Sequence, residues 1–468
     1  PESTITQREM NIACSVQQVT EKIILSMARY AKKITGMEYL CMSGGVALNC
    51  VANGNLYREK IFKDIWIQPA AGDAGSSLGC ALDTYYTYFK KDRKLREDGK
   101  PLQLGSYWGP EWNKEEIEAF LDTENVKYKS ISDTKERNSL IANYLNSGKV
   151  IGFFSGRTEF GPRALGARSI IGDPRIAEMQ TKINLKIKYR ESFRPFAPAV
   201  LADQASQYFE TSKKNPYMMF VEPVLKSRRH TFARENTEDM LKIIKQPRSD
   251  IPAVTHIDYS ARVQTVERSD HKEFYELIKE FQRLTGCPVL INTSFNIRGE
   301  PIVNSPMEAY QCFMNTEMDV LVLEHCLLLK KEQIKFDKAK ESGNDRKSNK
   351  KKINKYFFSK KLKKIYNKNF TKTLSNTLEN IFEKENELSC WVDSINHNNE
   401  KIFHIPRELD DEDPVPENMI KPLVKYWHNH SLGKILEPAI LQLLYLGKKY
   451  PLNNDTKERV SDKIYEMF

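Results

Sequence analysis

The sequence has no long apolar run. Its richest stretches, around Val320–Leu329 and Ile440–Leu446, fall well short of the roughly 18–20 residues that span a bilayer, so no membrane span is expected. It has no Cys-x-x-Cys pair. Its eight cysteines (Cys14, Cys41, Cys50, Cys80, Cys287, Cys312, Cys326 and Cys390) are scattered, which argues against a disulfide framework. Such thiols suit a reducing compartment, where they pack as small apolar groups. With no signal-peptide pattern at the start, the expected location is cytoplasmic. No histidine precedes His230, no repeat recurs, and no acid lies between Asp345 and Glu379. The chain opens at Pro1 rather than at Met and enters a helical pattern almost at once, which reads as a fragment or a processed start.

The net charge of +10 resembles a nucleic-acid signature until it is located. Residues 330–368 hold 16 Lys/Arg against 4 Asp/Glu, so this segment exceeds the whole excess and the remainder is slightly acidic. A solvated linker is the expected role, and nucleic acid is not an expected partner.

Three regions follow from patterning in the 468 residues, 40% of them hydrophobic. Residues 1–95 open with a helical pattern over 8–33 (Ile12, Val16, Val19, Ile23, Ile24, Met27, Ala31). Met37–Met42 and Asp64–Gln68 read as strands that open into Ser43-Gly44-Gly45 and into Ala70–Ser77, with a helix expected from about Leu78 to Lys90. Strands that end in such turns and feed helices predict an α/β sheet with ligand turns at the strand ends. Residues 103–332 mix helices (113–122, 135–147) with strands (150–154, 289–292) and carry most of the polar motifs. Then come a basic linker, 333–369, and a helix-patterned extension, 370–468, of unassigned role.

The motifs carry anion chemistry. In Ser43-Gly44-Gly45-Val46-Ala47-Leu48-Asn49, glycines let backbone N–H groups approach a phosphate or ribose, although an ordinary tight turn reads the same way. In Gly72-Asp73-Ala74-Gly75-Ser76-Ser77, the carboxylate suits a metal or a nucleotide's Mg2+ as well as a helix cap. Residues 156–169 pack three arginines (Arg157, Arg163, Arg168) and three glycines before Ser169, which suits bidentate capture of phosphate. Lys186–Pro198 adds four cations, Lys186, Lys188, Arg190 and Arg194, among aromatics and prolines, which favours a closed anion pocket over a base-stacking surface. Asn292, Ser294 and Asn296 follow a strand and suit a planar amide or phosphate oxygens, or an Asx-type turn. Thr255-His256 and Arg262-Val263-Gln264 are lesser candidates nearby.

In this order, SGGVALNC (43–50), AAGDAGSSLG (70–79), GRTEFGPRALGARSI (156–170), YRESFRPFAP (189–198) and NTSFNIRGEPIV (292–303) closely resemble the carbamoyltransferase family of nodulation protein U and the cephalosporin and aminoglycoside O-carbamoyltransferases. The resemblance covers roughly residues 5–332. It implies an α/β chain: the C-terminal part of an actin/sugar-kinase-like domain (1–95), then a YrdC-like domain (103–332), then a mostly helical extension. It implies that carbamoyl phosphate and ATP form carbamoyl-adenylate, whose carbamoyl group passes to a hydroxyl of a saccharide or natural product near a bound metal. Gly44, Gly45, Asn49 and Gly72 would lie at the adenylate, and Asp73 would be a metal ligand. Arg163, Arg168, Lys188, Arg190 and Arg194 would hold the phosphates, with Arg157 and Ser169 contributing to substrate binding and Asn292, Ser294 and Asn296 orienting the carbamoyl amide. Neutralising two polyanions at once is work for positioned cations.

The sequence departs from the family in lacking the His-x-x-x-His pattern of the N-terminal lobe, so Fe2+ or another divalent ion at Asp73 would need that lobe supplied by a separate polypeptide. Two other classes stand beside the enzyme. One is a non-catalytic remnant or interaction subunit. The other is an RNA-associated threonylcarbamoylation-type enzyme, suggested by residues 346–368.

Overall fold

The structure, a computed structural model, describes residues 6–95, 103–211, 213–230 and 246–333, together with the short strands at 392–395 and 401–403. It divides into two compact units, Pro1–Phe336 and Asp337–Phe468.

In the first unit, α1 (Gln7–Thr35) starts where Thr6 and Glu9 form a reciprocal cap and stops at Gly36, which takes φ 66°. Its apolar stripe is not core, as amphipathicity alone would suggest. Ile24 and Ala28 are buried, but Ile12, Val16, Val19, Ile23, Met27, Tyr30 and Ile34 lie exposed at three- and four-residue spacing. The strands β1 (Tyr39–Met42) and β2 (Asp64–Ile67) pair in parallel, with α2 (Cys50–Arg58) between them in sequence. Their small core includes Leu56, Phe62, Ile65 and Ile67, and it also takes Met219 and Phe220 from far along the chain. That interleaving welds residues 1–95 to the following region. The helix expected from Leu78 begins earlier, as α3 (Asp73–Asp83). Its first turn fits because Gly75 passes so close to Ala70 that a Cβ there would stand 2.0 Å from the Ala70 carbonyl oxygen.

The larger part is an eight-stranded mixed sheet in the order β3-β12-β11-β4-β5-β10-β6-β9. The strands that position the site are β4 (Ile151–Phe154), β5 (Arg168–Gly172), β6 (Ala197–Leu201), β9 (Gln264–Val266) and β10 (Val289–Ser294). The remaining sheet strands are β3 (Lys129–Ser130), β11 (Val320–Leu323) and β12 (Cys326–Leu329). A separate two-stranded pairing joins β7 (Glu222–Pro223) to β8 (Ser260–Ala261). β10 is antiparallel to both β5 and β6, which sets Asn292 opposite Ile171 on one side and Ala197 on the other. The strand expected to end at Asn292 runs on to Ser294.

Helices α4 (Lys114–Thr123), α5 (Thr134–Asn146), α6 (Met179–Ile183), α7 (Lys272–Thr285) and α8 (Pro306–Met314) complete this part. Phe274, Leu277, Ile278 and Phe281 repeat at helical spacing on α7 and are all buried. One continuous core runs from Ile117 to Leu328. Among the described residues, no helix is long and apolar enough to cross a membrane.

In the second unit, β13 (Val392–Ile395) and β14 (Lys401–Phe403) form an antiparallel pair. The helix pattern read over 370–395 is corrected at its end, where 392–395 is strand; the rest of the expected linker beyond 333 and the helices over 418–468 lie outside the described residues.

Candidate functional site

Two glycine turns at the ends of β1 and β2 come first. Gly44 takes φ 97°, and its N–H donates to the Ala71 carbonyl at 2.7 Å, so the Ser43–Asn49 and Ala70–Gly72 segments lie side by side. A Cβ on Gly44 or Gly45 would meet nothing within 4 Å, so this side of the turn is open. Asn49 is spent locally: its Oδ1 caps α2 through Ala52 N–H at 3.1 Å, and its Nδ2 donates to Gln17 at 2.9 Å. Gly72 precedes α3, whose first residue is the exposed Asp73.

The arginine loop lies against these turns. Gly161, at φ 142°, brings backbone next to Pro69. The Arg163 Nη2 donates to the Leu48 carbonyl at 3.3 Å. Glu159 organises the loop from within. Its Oε1 accepts N–H bonds from Leu165 (2.7 Å), Ala167 (2.7 Å) and Arg168 (3.2 Å). Charge-assisted bonds of this kind are the strong ones. A second clamp comes from the sheet, where Gln264 donates to the Leu165 carbonyl (2.8 Å) and Asn292 to that of Ala164 (3.1 Å), while Asn292 also donates to Gln264 (2.7 Å). The residues flanking Arg163 are thus held by two strands.

The charge of the Arg262 guanidinium acts on Arg163. That guanidinium, followed by burial, holds Arg163 down to about 9. Arg190 is held at about 10 by burial, then by Arg194 and Arg262. Arg190 keeps its place through Nε–H to Asn184 Oδ1 (2.7 Å) and by lying over Phe196. Arg194 pairs with Glu191 at 2.6 Å. Arg163, Arg190, Arg194 and Arg262 therefore form one cationic group, and among the described residues the only carboxylate paired with it is Glu191. Two buried atoms beside it have no hydrogen-bond partner among the described residues, Arg163 Nε and Asn292 Oδ1.

Other expected site residues are placed differently. Arg168 is wholly buried, stacked on Phe154 at 3.4 Å. It donates to the carbonyls of Gly156 (3.0 Å), Ala167 (3.0 Å), Pro110 (3.3 Å) and Ser155 (3.4 Å). The expectation of a phosphate contact there finds no exposed donor. Arg157 is half exposed, donates to the Trp108 carbonyl at 3.1 Å and lies 4.0 Å from Glu111. Ser169 accepts from Gly166 N–H at 3.0 Å in the interior of β5.

Lys188 is buried and directs its ammonium to Ser294 O (2.7 Å), Ser294 Oγ (3.0 Å), Asn296 O (3.0 Å) and Asn296 Oδ1 (2.6 Å). Burial, then Arg190, push it down to about 7. Ser294 and Asn296 also bond to each other at 2.7 Å, so these three residues close a network among themselves.

A divalent metal at Asp73 does not fit this chain. Among the described residues, the one grouping of three His, Cys, Asp or Glu ligand atoms is Glu118, His325 and Cys326, and a single exposed carboxylate binds metal poorly. Within that grouping His325 Nε2 lies 3.1 Å from Glu118 and 3.3 Å from Cys326, which is ordinary hydrogen bonding. Burial pushes the Cys326 thiol up to about 12, against the thiolate a metal needs.

The sequence is similar to known proteins over most of its first 330 residues. The family description "Carbamoyltransferase N-terminus" matches residues 2–82, and "Carbamoyltransferase C-terminus" matches residues 142–330. The chain belongs to the carbamoyltransferase family. Among the relatives of this carbamoyltransferase chain, the uncharacterized protein sll1178 of Synechocystis sp. is 52% identical over 337 residues, covering 71% of this chain and 54% of that one. Nodulation protein NolNO of Sinorhizobium fredii is 38% identical over 333 residues, covering 70% and 45%. Nodulation protein U of Rhizobium fredii is 34% identical over 267 residues, covering 57% and 39%. The chain thus spans about half the length of the curated relatives it matches. A solved structure of full-length HypF in its phosphate- and nucleotide-bound form aligns with a TM-score of 0.27 and 13% identity, over 56% of this chain and 36% of that one. An overlay that loose carries no argument.

The sequence ranked Arg262 and Gln264 low and gave Glu159 no role. The signal for Glu159 was there: one acid between Gly156 and Gly161, in a loop otherwise cationic, needs a partner, and that partner is the loop's own backbone.

Proposed function

We propose that this chain binds carbamoyl phosphate and ATP and joins them as carbamoyl-adenylate, within an O-carbamoyltransferase that passes the carbamoyl group to a hydroxyl of a saccharide or natural product. The observation that carries this reading is the arginine loop, clamped by Glu159, Gln264 and Asn292 and laid against the Leu48 turn, with the charge of Arg262 acting on Arg163. Like charges held together cost stability, and a bound polyanion repays the cost. Family membership selects carbamoyl phosphate and ATP as the polyanions, with Mg2+ arriving on the nucleotide.

In this reading Arg163, Arg190, Arg194 and Arg262 hold the phosphates. The open side of Gly44 and Gly45 receives the nucleotide, against the Leu48 carbonyl that already meets Arg163. Arg168 is the buried post on which the loop is built. Lys188, Ser294 and Asn296 meet the carbamoyl group by exchanging bonds they now make to each other. The acceptor site and any metal belong to a further lobe, and the exposed stripe of α1 supports such a lobe covering it.

The test is incubation with ATP and carbamoyl phosphate, followed by mass spectrometry for carbamoyl-AMP and an assay of pyrophosphate release. Release should require carbamoyl phosphate and be lost in Arg163→Ala. Unchanged turnover in that variant would remove the anion-site assignment.

A further inference from the structure

The segment His256–Ser260 folds back on itself. His256 N–H donates to the Ser260 carbonyl at 2.8 Å, and Tyr259 N–H donates to that of His256 at 3.1 Å. Tyr259 takes φ 64°, a left-handed conformation that a bulky residue adopts only where its surroundings enforce it. The fold-back brings His256 Nδ1 within 3.0 Å of Ser260 Oγ, while Ser260 Oγ donates to Asp258 Oδ1 at 2.7 Å.

The tautomer follows from counting protons. A hydroxyl has one proton, and Ser260 gives it to Asp258, so Ser260 Oγ must accept from His256 Nδ1–H. The imidazole lone pair is then on Nε2, for which the structure shows no partner among the described residues. Its charged neighbours are Asp258 in the same turn, Arg262 directly after β8, and Arg248, whose Nε donates to the His256 carbonyl at 3.1 Å. Burial, opposed by Asp258 and joined by Arg262 and Arg248, holds the ring at about 4, so it is neutral at neutral pH. Arg262, whose charge acts on Arg163 and Arg190, stands between Ser260 of this turn and Gln264, which holds the Leu165 carbonyl beside Arg163 at 2.8 Å, so the turn adjoins the anion site.

We propose that His256 takes the proton from the water that splits carbamoyl phosphate at this site, with Ser260 and Asp258 as positioning residues. The inference rests on the carbamoyl-phosphate reading above. Atom balance asks for such a water: carbamoyl phosphate and ATP yield carbamoyl-adenylate, pyrophosphate and phosphate only if one water is consumed. Its O–H bond breaks toward Nε2 while its oxygen bonds to phosphorus. The bond from phosphorus to the carbamoyl oxygen breaks, and carbamate leaves with the electron pair. Carbamate then attacks the α-phosphorus of ATP and expels pyrophosphate, and the proton on Nε2 passes to solvent. A bound polyanion offsets the charge of Arg262 and Arg248, which makes Nε2 more basic when substrate is present.

His256→Asn separates this role from support of the turn, because the amide keeps a donor toward Ser260 and lacks Nε2. The experiment measures phosphate released from carbamoyl phosphate in 18O-water without ATP, and carbamoyl-AMP formed with ATP. Wild type should release phosphate carrying one heavy oxygen. His256→Asn should lose roughly 100-fold or more in kcat with little change in KM, and added imidazole should restore part of it. Ser260→Ala and Asp258→Asn should lose less, through kcat. Wild-type release by His256→Asn, or no release by wild type, overturns the proposal. Release that depends on His256 but yields no carbamoyl-AMP with ATP upholds the proposal and sinks the adenylate reading instead. Should His256→Asn also lose pyrophosphate affinity, the wild-type pH profile decides: a fall along one acidic protonation supports the base, and a flat acid limb refutes it.

Discussion

Arg262→Gln should stabilise the unliganded protein and weaken its grip on polyanions, two effects of opposite sign from one substitution. Arg163 is held at about 9 instead of 12.5, with Arg262 the largest cause and burial the second. At about 1.4 kcal/mol per pH unit, the two causes together amount to roughly 5 kcal/mol. Only the share due to Arg262 is relieved, and solvent screens a partly exposed pair, which leaves on the order of 1–2 kcal/mol. Glutamine keeps much of the side chain's packing, so little is lost elsewhere. In thermal denaturation without ligand, the midpoint should rise by about 2–4 °C, and 0.5 M salt should shrink the difference as screening replaces the mutation.

Calorimetric titration with inorganic pyrophosphate should move the other way. Truncating one cation of a desolvated, hydrogen-bonded charge contact costs about 2 kcal/mol or more, a loss of affinity of roughly 30-fold. Arg262→Lys should keep the charge, and hence the strain, while losing the two-pronged geometry. It should therefore lower affinity without raising the midpoint. A destabilised Arg262→Gln protein that binds pyrophosphate as wild type does would show that the pair is structural, and the anion site would have to be sought elsewhere.

Glu222 offers a pH test. Burial, opposed by Arg58, Lys213 and Lys60, raises its carboxyl to about 7 from 4.5. Between those values the folded state binds more protons than the unfolded one, so stability falls as pH rises from about 4.5 to about 7. Glu222→Gln should flatten that slope in urea titrations and gain up to about 3 kcal/mol at pH 8. Gly166→Ala should cost about 2–4 kcal/mol by denaturant unfolding, because a Cβ there would stand 2.3 Å from Phe274 at φ 115°. Glu159→Ala leaves three loop N–H groups without their acceptor and should cost about 3 kcal/mol, with pyrophosphate affinity falling alongside. Glu159→Gln, which keeps a carbonyl oxygen at the same place, should recover part of both.

The helices were the most legible part of the fold. The pattern over 8–33 predicts α1, and Thr6 with Glu9 and Gly36 supply its ends. What patterning could not tell is which neighbour an apolar stripe meets. The stripe on α1 shows in sequence only as helical spacing, and most of it is exposed here. The sheet order was beyond reach for the same reason. β5 and β6 flank β10 from more than 80 residues upstream, and nothing local to Val289–Ser294 names them as partners. The start of α3 was missed because small residues at 73–77 read as loop, whereas here they let the helix begin against Ala70.

For the site, the sequence could count cations but could not sort them. Arg157, Arg163 and Arg168 stand in one loop of similar composition, and their fates diverge. Arg168 ends on a buried strand over Phe154, Arg157 turns to Trp108, and Arg163 meets Leu48 and Arg262. The sorting is done by neutral groups. Gln264 and Asn292 grip the carbonyls beside Arg163, and Glu159 ties down the amides that follow it. A guanidinium on a loose loop would swing away from its like-charged neighbour. Arg163 is held by the clamps on the residues that follow it, and in the proposed reading the remaining repulsion favours a bound anion. This is why the residues that decide whether the arginines bind phosphate are ones a search for charge passes over, and why Gln264→Leu should weaken pyrophosphate binding without removing any cation.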